Sequence, residues 1–101
     1  MKLLAILSLD EYANDLHALY RDHKIRVFSE IDIRGYPLEE TDASSFGWFG
    51  NAPVTAYSTL AFAFLEDAQA DALMEALRTH SRTQDADHPV RAFLMPVEQA
   101  I

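Results

Sequence analysis

The chain opens with an apolar run, Lys2 to Leu7, closed by turn-type polar residues, which has the length and composition of an interior strand. Ser8 followed three residues later by Glu11 has the spacing of a capping box, so a helix is expected next. Ala13, Leu16, Leu19 and Tyr20 recur at three- and four-residue intervals and mark its buried stripe, with Asn14, Asp15, His17 and Arg21 on the water side. From Ile25 the period changes to two. Ile25, Val27, Ile31 and Ile33 share one side, Arg26, Glu30, Asp32 and Arg34 the other, and Gly35 ends a half-buried strand whose charges form the outer face. Val54 to Leu65 is a second long strand. Val54, Ala56, Leu60, Phe62 and Phe64 fall on one side and Tyr57, Ala61, Ala63 and Leu65 on the other, so both faces are largely apolar. Glu66 and Asp67 open a second helix, where acidic groups suit the positive end of the dipole, and Ala70, Leu73, Met74 and Leu77 form its core stripe. After polar residues 81–89, Val90 to Val97 makes a last strand, with Val90, Ala92 and Leu94 alternating with Arg91, Phe93 and Met95.

The order strand, helix, strand, strand, helix, strand predicts an α+β, ferredoxin-like βαββαβ sandwich: two helices on one face of a four-stranded antiparallel sheet. Two helices cover only one face. The apolar outer positions of the 54–65 strand, with Phe28 and Phe93, then need another cover, and self-association through the open sheet face supplies it. At 101 residues the chain makes one domain, 1–101, with a modest core that gains from a partner subunit.

Charge and composition narrow the function. Sixteen acidic against eight basic residues give a net charge of -8, which disfavours nucleic acid and anionic membranes as partners. The absence of cysteine removes disulfides, thiolate metal sites and a cysteine nucleophile. No apolar run reaches the length of a membrane span and no export signal is visible, so no membrane insertion and a cytoplasmic location are expected.

Three groups of residues are candidates for function. The segment 35–52 carries Tyr36, Leu38, Phe46, Trp48 and Phe49 among acidic residues and glycines; such a loop either anchors in a partner groove or folds back as cover over the sheet edge. Arg78, Arg82 and Arg91 are the clustered positive charges, and a guanidinium fork suits phosphate or carboxylate. His80, His88 and Asp87 could ligate a divalent metal, although polar loop residues of this kind more often serve no such role. Phosphate loops, serine elbows and metalloprotease spacings are absent, and neither Glu39 with Glu40 nor Asp85 with Asp87 is placed around a cleft, so an enzyme is not expected.

The run Arg91-Ala92-Phe93-Leu94-Met95-Pro96-Val97-Glu98 resembles the closing stretch of the nitrogen regulatory PII signalling superfamily, and Ile31-Asp32-Ile33-Arg34-Gly35-Tyr36 resembles its strand end before the T-loop. That resemblance implies a homotrimer with sheets facing the centre, a ligand in the clefts between subunits, and a T-loop-like segment at about 35–52 that grips a protein partner such as a membrane transporter. On this template Gly35 sits at the loop base, where its amide approaches a phosphate, and Arg91 replaces a phosphate-binding lysine; Arg82, from the cluster of positive charges, is the third ligand-binding candidate. The loop is shorter than a full T-loop, and residues 83–89 carry Asp85 and Asp87 where the family has a glycine-containing phosphate turn. Both departures imply a divergent PII-like regulator that binds a nucleotide or another small anion, with Tyr36, Phe46, Trp48 and Phe49 as the partner loop. The alternative is a divalent-metal-binding or metal-tolerance protein resembling CutA, through His80, His88 and Asp87. A small ferredoxin-like enzyme ranks third.

Overall fold

A computed structural model describes residues 1–36, 56–82 and 89–101. Strand β1 (Lys2–Leu9) leads through a short 3-10 turn, Asp10–Tyr12, into helix α1 (Ala13–Asp22). Strands β2 (Ser29–Gly35) and β3 (Ala56–Leu65) follow, then helix α2 (Asp67–Ser81) and strand β4 (Arg91–Pro96). The strands form one sheet in the order β2-β3-β1-β4, every neighbouring pair antiparallel. This is the ferredoxin-like α+β arrangement that the element order predicts.

Both helices bury the stripes read from their spacing. Leu16 and Tyr20 of α1, and Ala70, Leu73 and Leu77 of α2, pack on Leu4 and Ile6 of β1 and on Ala61, Ala63 and Leu65 of β3. Ala61 and Ala63 put small side chains on the helix side of β3, inside the core. No helix among the described residues is long and apolar enough to cross a membrane.

The expected capping box does not form. Ser8 stays within β1, buried beside Thr59, and neither the 3-10 turn nor α1 has a side-chain cap at its start. The sheet ladder takes the serine because β1 runs two residues further than the apolar run suggested. At its other end α1 closes with a Schellman motif: the Lys24 amide donates to the Arg21 carbonyl and the Ile25 amide to that of Tyr20. Lys24 carries the positive φ of 60° that this motif demands. Ile25 therefore belongs to the helix end and is buried there, not in the strand. The Gln69 side-chain amide of α2 donates to the carbonyls of His23 and Lys24, at 3.2 and 3.1 Å, fastening this corner to the second helix.

The two faces of β2 are assigned the other way round from the expectation. Glu30, Asp32 and Arg34 pair with Ala61, Thr59 and Tyr57, which puts the charges on the helix side. Ile31 pairs with Leu60 and Ile33 with Ser58, on the open side. Because β2 is an edge strand, most of it is exposed on both sides, and of its charges Glu30 meets His17 on the flank of α1.

Candidate ligand-binding site

The open face is built by strand alternation. Reading across the sheet, Phe64, Leu3 and Met95 form one row; Ser29, Phe62, Ala5 and Phe93 the next; Ile31, Leu60, Leu7 and Arg91 the third; Ile33, Ser58 and Leu9 the fourth. Arg91 is the one charged strand position on this side among the described residues, in a chain with 16 acidic residues. Phe64 (59%), Ile31 (52%), Phe93 (50%) and Met95 (40%) are exposed. Phe62 and Phe64 meet edge to face at 6.4 Å, so the aromatic surface is preformed.

Gly35 is buried at the end of β2 opposite Ala56, so the segment 36–55 leaves and re-enters the sheet at one point. Arg91 opens β4 opposite Leu7, which pairs with Leu60, four residues along β3 from the Ala56 that faces Gly35. The two sit on opposite edge strands, three strand spacings apart across the sheet, about 14 Å at ~4.8 Å each, and about 13 Å apart along it at ~3.3 Å per residue. One chain therefore does not bring Gly35 and Arg91 together at one phosphate. Arg82 caps the end of α2 and is exposed.

A different set of residues converges within the chain. Met74, Leu77, Arg78 and Ser81 of α2 and Val90, Arg91 and Ala92 at the start of β4 line an open depression of about 250 Å³. Leu77 and Val90 are buried and form its floor, while Arg78 is exposed and ion-paired to Glu75 one turn back. Arg78 and Arg91, grouped by sequence, thus border the same depression. Alternation sets Arg91 on the open-face side of β4 and Val90 and Ala92 on the helix side.

Of the proposed metal set, Asp87 and His88 lie outside the described residues, as do Phe46, Trp48 and Phe49 of the proposed partner loop. His80 approaches Asp15 of α1 at 4.0 Å. Among the described residues no group of three or more histidine, aspartate or glutamate side chains is placed to hold a metal.

Two clusters escaped the sequence reading. Arg34 hydrogen-bonds Tyr36, which chiefly holds its guanidinium pKa above the ordinary value, and it lies 5.7 Å from the centre of the Tyr57 ring. Tyr36 is thereby engaged at the root of the 36–55 segment. His17, assigned to water, instead contacts the Glu30 carboxylate and lies tilted against Phe28 at 5.1 Å between ring centres, and Phe28 meets Tyr20 edge to face. Burial, and then the nearby Glu30 charge, pushes the Tyr20 phenol well above its usual pKa. Two-residue alternation on β2 and four-residue spacing on α1 were visible, but their meeting across a strand was not.

No protein-family model matches the sequence, and no curated protein matches it. Among solved structures the chain is similar to a DUF3240 family protein from Shewanella baltica OS155, with a TM-score of 0.68 and 19% identity over 98% of this chain and 91% of that one. In all, 111 solved chains match, as befits a fold that hosts unrelated functions, so the likeness shows the ferredoxin-like fold alone.

Proposed function

We propose that the protein is a divergent PII-like regulator of the cytoplasm that acts by binding and not by bond cleavage. It assembles as a homotrimer through the open sheet face, holds a small anion or nucleotide in the clefts between copies, and meets a protein partner through the segment bearing Tyr36, Phe46, Trp48 and Phe49. The observation that carries this reading is the open face itself: four rows of strand positions with one charge among them, in a strongly acidic chain. A face of that size left in water favours association. Assembly also answers the separation of Gly35 from Arg91, since a neighbouring copy can bring the β2 end of one chain to the β4 edge of the next. Arg82, exposed beside that edge, adds positive charge to the same cleft.

The test is a thermal-denaturation titration with ATP, ADP and inorganic phosphate on the wild type and on Arg82→Ala and Arg91→Ala. A saturable rise in midpoint with at least one of these anions, diminished in both variants, supports the cleft. No response to any of them, or responses equal in all three proteins, overturns it.

A further inference from the structure

We propose that the depression between α2 and β4 is a binding site, built by described residues of one chain, for a free carboxylate carried on a compact hydrocarbon body. Its floor is made by Leu77 and Val90 with Met74 and Ala92 beside them, and Arg78, Ser81 and Arg91 supply the polar part of its lining. The rim offers the Arg78 guanidinium and the Ser81 hydroxyl. Apolar floor and donor rim match a ligand that is apolar at one end and anionic at the other. At about 250 Å³ the depression is small, which suits a short aliphatic acid better than a larger body.

Two observations bear on the ligand's charge. Arg78 pairs with the Glu75 carboxylate one turn back, and a guanidinium has five donors, more than that one partner uses. The depression lies at the C-terminal half of α2, where the helix dipole opposes an anion, so the guanidinium is the group that must supply the attraction. A highly charged phosphate is disfavoured there, whereas a singly charged carboxylate anchored by burial of its chain is suited.

Hexanoate is the probe, followed by amide and methyl NMR on the full chain, with hexanol and sulfate as controls. Saturable shifts centred on Leu77, Val90 and Ala92 are expected, with hexanol and sulfate at least about tenfold weaker. Arg78→Ala, at an exposed position, keeps a native spectrum and weakens hexanoate about tenfold, as loss of a charged hydrogen bond implies. Glu75→Gln removes the competing carboxylate and tightens hexanoate. Shifts spread over Ile31, Phe64 and Phe93, hexanol binding as well as hexanoate, no saturable shift, or an unchanged affinity in Arg78→Ala would each overturn the proposal. The double variant Phe64→Glu/Phe93→Glu, altered only on the other face, retains hexanoate binding, so this test and that of the trimer fail separately.

Discussion

Lys24 is the residue at which local backbone and sequence disagree most. A left-handed conformation costs a residue with a Cβ about 1–2 kcal/mol, and glycine relieves that cost while losing part of it to its own entropy. Lys24→Gly is expected to stabilise the fold by up to ~1 kcal/mol in urea denaturation, because the carbonyl that accepts from Gln69 belongs to the backbone and survives. Gln69→Ala removes two side-chain hydrogen bonds at the same corner and is expected to cost about 1–2 kcal/mol. Tyr20 gives a pH signature. Its folded-state pKa lies above the unfolded value of about 10, so the folded state keeps its proton where the unfolded chain loses it. Stability is unaffected by this group below pH 10 and falls as pH rises beyond it. Tyr20→Phe, compared with the wild type across that range, removes the slope; a difference that stays constant through pH 11 would show that the buried phenol does not ionise differently on unfolding.

At the scale of elements, what could be read from the sequence was whatever one element decides alone. Both helices were legible because Leu16 and Tyr20, or Ala70, Leu73 and Leu77, are each a single stripe with one possible destination. β2 was not, because its alternation separates isoleucines from charges without saying which side the helices cover. The apolar side faces the open surface, and Glu30 finds His17, a partner thirteen residues away. The arginine grouping at residues 78–91 was legible as charge, but the depression it borders depends on α2 lying against the first residues of β4. The ion-paired His17 and Glu30 side chains are each about one-third exposed, so Glu30→Gln is expected to cost less than about 1 kcal/mol.

The whole molecule is a one-layer core with a bare apolar back. Its buried residues gather between the helices and the sheet, while Leu60, Phe62 and Leu7 on the other face are only half-covered by their neighbours. Such a surface is what the proposed assembly rests on, and the proposal predicts that charge placed on it separates the copies without unfolding them. Phe64→Glu with Phe93→Glu is expected to give a single folded chain with an unchanged far-UV spectrum, since both side chains are at least half exposed.

The most direct measurement is the mass of the wild-type protein by light scattering coupled to gel filtration, from micromolar concentrations upward. A constant mass about three times 11.4 kDa is the expected result. A protein that stays at 11.4 kDa across that range, with its open sheet face in water, or one that stops at twice that mass, would contradict the account.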